Sequence, residues 1–335
     1  MSIQASEIIW REAGVMVDGA SNGGRMVSVA IPTGVKNNLW PDIPQSERTA
    51  GSTKYRKVFL HIANDTDLAL VQPYIFVETN SPGDDAVVLF EGTQIDTEAT
   101  LDDTRVYGCG PLNANVSQGA STFDVNTEGV GFDMFQDGDT IRISDKDDVD
   151  DTNPAHHEQY VTINGDPSYA GDVATIVIDQ TLDFAYTTAE NTRVSSVIAP
   201  ADIEGSVDSF SVTSGSGTYD DTTYPVLVDH IGGIEQDWTL TFQADGTTFD
   251  LSGDTLGAVG EFTTASDLNP TNSDFSKPYF VMDNAGFGGT FADGDTITFT
   301  THPAAYPLWY KRVVPAAASS LSADQVIVAV DGQSA

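Results

Sequence analysis

The stretch Phe135-Gln-Asp-Gly-Asp-Thr-Ile-Arg-Ile-Ser144 holds the signals that decide the fold. Asp137-Gly138-Asp139 is a turn sequence, and Thr140–Ser144 alternates polar with apolar residues, as a strand with one buried face does. The same texture runs outward along the chain. Glu158–Ile163 alternates over most of its length, and Asp237–Phe242 alternates strictly and is followed by the hairpin signal Asp245-Gly246. Ala174–Asp179 is more uniformly apolar, which predicts a strand buried on both faces. No apolar period supports a helix longer than about two turns. The best short candidates are Pro44–Ala50 and Ser319–Asp324. The fold class is therefore mostly β, built from sandwich or barrel-like modules.

Changes in texture divide the chain into three. Residues 1–116 contain Arg11, Arg25, Lys36, Arg48, Lys54, Arg56 and Lys57, half of all the basic residues, within their first 57 positions. Residues 117–199 and 201–304 read as two successive β modules. The tail, 305–335, carries Pro307-Leu-Trp-Tyr-Lys-Arg-Val-Val-Pro315 and shares the aromatic, basic and β-branched character of Tyr55–Leu60. This predicts that the tail packs back onto residues 1–116 as a platform, with the two modules inserted between. The modules also share motifs. Ser121–Gly129 resembles Asp208–Ser216, and Phe135–Ile141 resembles Phe291–Ile297. Both internal duplication and shared hairpin physics account for such a match.

The 335 residues carry a formal net charge of −36, from 50 acids against 14 Lys and Arg. Of the acids, 38 are Asp and 12 Glu, and Asp favours turns and caps. A field of this sign repels phosphate, which argues against direct nucleic-acid binding and against anionic membrane surfaces. No apolar run approaches the ~20 residues of a spanning helix. Met1–Glu7 has neither a basic nor an apolar segment of the secretory type. The surface suits a salty medium or a calcium-rich one, or serves solubility alone.

Signals for site chemistry are sparse. Asp145-Lys-Asp-Asp-Val-Asp-Asp151, followed by His156 and His157, is metal-friendly in composition. It fails as a calcium loop, with Asp150 where glycine belongs and His156 where glutamate belongs. Adjacent histidines on a strand also face opposite ways, so a solvated hairpin loop is expected and no metal is assigned. Cys109 is expected to be a small buried residue and His61 a strand position. The glycine pairs lack phosphate-loop spacing, and Asn22-Gly23-Gly24-Arg25-Met26 reads as a tight turn whose glycines take positive φ. No catalytic residue and no cofactor is assigned, and the chain is expected not to be an enzyme.

Four stretches, Asn22–Met26, Asn38–Pro44, Glu47–Gly51 and Lys54–Phe59, together with Gly288–Asp295 and Trp309–Pro315 in the tail, resemble a family of structural proteins of tailed bacteriophages and prophages. The resemblance covers mainly residues 7–115 and 288–335. It implies a non-enzymatic virion component of the head–tail collar, tail or baseplate, assembled in the host cytoplasm. Its expected partners are further copies of itself in a ring or other symmetric oligomer, and other virion proteins. Arg and aromatic residues are enriched at interface hot spots. The expected docking surface therefore draws on Arg25, Trp40, Arg48, Arg56, Lys57, Trp309 and Lys311. A glycan- or calcium-binding β-sandwich surface protein is the alternative.

Overall fold

The computed structural model describes residues 2–128, 133–322 and 324–334. The chain is mostly β, with 45% of it in strands and 5% in helix, and there is no closed barrel among the described residues. In chain order the first strands are β1 (Ile8–Val15), β2 (Gly23–Ala30), β3 (Ser52–Ile62), β4 (Leu70–Thr79), β5 (Ala86–Glu91) and β6 (Cys109–Pro111). Then come β7 (Thr122–Asn126), β8 (Thr140–Ser144), β9 (Glu158–Thr162), β10 (Ser168–Ala170), β11 (Val173–Val177) and β12 (Arg193–Ser196). A third group opens with β13 (Ser206–Thr213), β14 (Thr218–Tyr219), β15 (Leu227–Val228), β16 (Gln236–Phe242), β17 (Thr248–Gly253) and β18 (Gly257–Thr263). It continues through β19 (Thr271–Asn272), β20 (Lys277–Pro278), β21 (Phe280–Val281), β22 (Phe287–Gly288) and β23 (Thr296–His302). The last two are β24 (Ala305–Val314) and β25 (Ile327–Ser334), and the one α-helix among the described residues is α1 (Gln45–Ala50).

The two ends of the chain share sheets. The five-stranded sheet β2-β1-β3-β24-β5 places β24 between two strands from the first hundred residues. Its register against β3 runs unbroken from Ala305↔His61 to Val314↔Ser52. The last strand, β25, pairs with β4. Between these layers lies a core of Val58, Leu60, Ile75, Val77, Leu89 and Leu308, with Cys109 inside it. Ile198, Ile203 and Ala304, at the two ends of the third segment, join the same core.

The segment after residue 100 forms a sandwich of β10-β11-β7 on β6-β12-β8-β9. Its core includes Phe123, Val125, Ile141, Ile143, Ile176 and Tyr186. Val106, Leu112 and strand β6 belong to it as well, so this layer begins before residue 117. The next segment forms the sheet β13-β23-β16-β17-β18 with three two-stranded ribbons. Here Trp238, Leu240 and Phe242 point inward from β16 while Asp237 is exposed, as strict alternation requires. The Asp245-Gly246 turn joins β16 to β17, with Gly246 at φ 71° and the Asp245 carboxylate accepting the Thr247 and Thr248 amides.

Several expectations need correction. Strand β11 is not buried on both faces: Ala174 and Ile176 face the core, and Val177 is exposed. Conversely β8 is covered on both sides, because Arg142 packs its guanidinium 4.9 Å from the Phe76 ring of β4. Ser319–Ser322 and Asp324 are not helical, and Ala323 lies outside the described residues. The repeated motif is a shared turn within different topologies. Gly138 and Gly294 have φ 81° and 84°, and Asp139 and Asp295 each accept the amide three residues back, from Gln136 and Ala292. Yet β13 pairs with β23 in one sheet, whereas β7 and β8 lie in different sheets. Gly129, the last residue of the first motif, is outside the described residues.

Candidate functional site

The residues expected to form a docking surface come from β2, the segment leading into α1, α1 itself, β3 and β24, and most are interior. Lys57 and Trp309 are directly opposed on β3 and β24 and are both fully buried. Lys57 Nζ lies 2.6 Å from Asp96 Oδ1 and donates to the Gly24 carbonyl at 2.7 Å. Burial pulls the Lys57 pKa down, and Asp96 opposes that shift. Trp309 Nε1 donates to the other oxygen of Asp96 at 2.8 Å, and the indole stacks at 5° on Phe90. The Asn22-Gly23-Gly24 turn makes this cluster possible. Gly23 has φ 108°, and a Cβ there would lie 2.9 Å from the Trp309 ring and 2.8 Å from the Asp96 carbonyl.

The neighbouring cations are engaged in the same manner. Arg56 Nη2 meets Asp18 at 2.8 Å, and Lys54 bridges Asp18 and Glu47 at 2.7 Å each. Lys311 lies 2.7 Å from Asp103, which also accepts the Tyr55 hydroxyl at 2.9 Å. Arg312 reaches Glu47 at 3.6 Å and lies 5.0 Å over the Trp40 ring, which itself meets Tyr310 edge-on. Arg48 donates to the Ile43 carbonyl at 2.7 Å. Arg25 is the most accessible of the expected group in ion pairs, and it too is committed, to Asp254 of another sheet at 2.8 Å. The seven residues therefore do not form an exposed cationic face. In a chain so rich in carboxylates, each cation finds a partner within its own fold. Among the described residues, every Lys and Arg except Arg11 and Arg48 forms such an ion pair. The receiving acids Asp18, Asp96 and Asp103 carry no distinguishing signal among 50 acids.

Buried polar groups elsewhere are also structural in their contacts. The Cys109 thiol is enclosed and pushed up to about 11 by burial, which makes it a poor nucleophile. His61 accepts the Arg11 Nε hydrogen at Nδ1, 2.6 Å away, and so donates from Nε2 to the His230 carbonyl at 2.6 Å. Burial first, and the Arg11 charge second, lower its pKa to about 4.

The acid loop brings Asp147, Asp151 and His156 together, one ligand atom from each lying within 4.8 Å of the others. His156 Nδ1 donates to Asp151 at 2.5 Å. That contact holds the Asp151 carboxyl down at about 2 and raises His156. His157 turns away and stacks on Phe184 with centroids 4.1 Å apart, so the two histidines do not converge. The buried Asp145 pins the loop by accepting the His157 amide. Such a cluster offers hard oxygen ligands and one imidazole, a set that suits several divalent ions.

Two cavities lie outside these clusters or at their margin. A small polar one of about 60 Å³ lies among Glu78, Arg142, Lys146, Asp147, Glu190 and Arg193. A larger one of about 390 Å³ combines apolar walls from Val207, Phe210, Val226 and Leu227 with the carboxylates of Glu204 and Asp221. Comparison with protein-family models, curated proteins and solved structures finds no match.

Proposed function

We propose that the chain is a non-enzymatic structural component of a tailed-phage virion, in the collar, tail or baseplate, acting by symmetric assembly. One observation supports this reading. Five of the six stretches that carry the sequence resemblance are far apart in the chain and meet in one place, while Gly288–Asp295 belongs to the third segment, where Phe291 joins its core. Lys54–Phe59 and Trp309–Val314 are adjacent strands in continuous register. Asn22–Met26 packs Gly23 on Trp309, Asn38–Pro44 brings Trp40 against Tyr310, and Glu47 of α1 holds Lys54 and Arg312. Strands near the two ends of the chain, β1 and β24, thus belong to one sheet, as a platform for assembly would require. Closed rings of such subunits form through heterologous contacts.

Size-exclusion chromatography with light scattering tests the proposal. A discrete ring favours assembly, and a monomer at all concentrations argues for a binding module. The second reading, a calcium-binding β-sandwich, draws on the Asp147, Asp151 and His156 cluster. A calcium-dependent rise in Tm that is lost in Asp147→Asn with Asp151→Asn would favour it.

A further inference from the structure

We propose that the loop Thr33–Asn37 of one copy docks into the groove formed by residues 204–210 and 225–228 of a second copy. This rests on the assembly reading above and names the two surfaces that would carry it.

The loop is held at its base and free at its tip. Ile31 donates its amide to the Trp10 carbonyl at 2.8 Å, and Asn38 Nδ2 ties back to the Pro32 carbonyl at 3.0 Å. Leu39 and Trp40 then pack against the core of the main sheet. Between these anchors Gly34 and Asn37 take positive φ, 71° and 60°, which turns the chain sharply on both sides of Val35-Lys36. Val35 is 53% exposed. The Lys36 side chain is 74% exposed, more than any other Lys or Arg, and its contact is with Asp42, itself 68% exposed. An exposed pair of this sort exchanges partners at little cost.

The groove is the complement of that tip. Its volume of about 390 Å³ accommodates a valine and the stem of a lysine. Leu227, on its wall, is 60% exposed, more than any other large hydrophobic side chain among the described residues. Val207, Phe210 and Val226 extend the apolar wall. Glu204 and Asp221 supply negative charge, and no Lys or Arg lines the cavity. An apolar-plus-cationic tip thus faces an apolar-plus-anionic groove, in a chain whose other cations are largely spent internally. Tip and groove are different surfaces of the same subunit, so the contact is heterologous and propagates from copy to copy.

The test uses the full chain and light scattering over a concentration series. Val35→Asp and Leu227→Asp change exposed positions and should each weaken assembly by tenfold or more while leaving Tm within a few degrees. Lys36→Glu alone, and Glu204→Lys with Asp221→Lys, should each weaken it, and combining all three should restore it. Rescue by the charge swap supports the docking even where a single variant loses some stability. Assembly that persists unchanged in all these variants overturns the docking and leaves the assembly reading standing. A wild-type chain that stays monomeric throughout overturns both.

Discussion

Lys57 and Trp309 face each other across neighbouring strands and divide one carboxylate between them, that of Asp96, which lies far from both in sequence. The arrangement turns three residues that surface chemistry would expose into a buried polar joint. Taking two charges out of water is costly, and the joint is tolerable because the lysine also satisfies backbone carbonyls.

Charge reversal at Lys57 should therefore damage the fold itself, not assembly alone. Removing one partner of a buried ion pair typically costs about 3–5 kcal/mol. Lys57→Glu and Asp96→Asn should each lower the denaturation midpoint by a corresponding amount. Arg56→Glu should do less, because the Asp18 side of that pair is half exposed. Urea melts with an unchanged slope check this, and a Lys57→Glu protein of wild-type stability would refute it.

Acid should destabilise the junction between β3 and the third segment. His61 has a folded pKa near 4, against an unfolded value near 6.5. Its contribution is fully present above pH 6.5 and is lost as pH falls towards 4. The shift corresponds to roughly 3 kcal/mol. The stability of His61→Gln should change less with pH across that window, as followed by Tm in low-salt buffers.

Asp85 carries the opposite sign. Burial, and then the neighbouring carboxylate of Asp324, raise its pKa to about 6. Ser81 Oγ lies 2.8 Å from Asp85 and 2.7 Å from Asp324 while accepting the Gly83 amide. A single hydroxyl hydrogen cannot serve both carboxylates, so a protonated carboxyl completes the set. A raised pKa means stability present below the unfolded value and lost as pH rises through 6. Asp85→Asn should raise Tm at pH 7.5 and leave it unchanged near pH 3.5. A variant less stable at pH 7.5 would contradict the assignment.

Salt should stabilise the chain. With the cations paired internally, the remaining surface is nearly all anionic, and screening relieves its self-repulsion. Tm should climb between low and molar NaCl. A flat profile, with no response to divalent ions either, would count against this account.

The sequence made the fold class legible wherever turn chemistry and period agreed. Asp137–Asp139 and Asp245-Gly246 lead into the predicted strands, and Trp238, Leu240 and Phe242 fill a core as their spacing implies. It was less legible where a second layer decides burial. Nothing local to Thr140–Ser144 shows that Phe76 covers Arg142, or that one face of Val173–Val177 stays in solvent. Most of the expected docking residues are more enclosed than their types imply, for a related reason. A basic residue reads as surface, but the acid that draws it inward can be hundreds of positions away, as Asp254 is from Arg25.

The position of β24 also sets the order of events on the ribosome. Strands β3 and β5 emerge early, but the strand that belongs between them is made late, more than 200 residues after β5. At roughly 5–20 residues per second, the nascent sheet waits about 10–45 s with two open edges. The intervening hairpins, such as β16–β17, close on their own contacts in that interval. Each new chain therefore passes through a stage in which its first strands present unpaired edges, the feature that lets one chain's strands pair with another's.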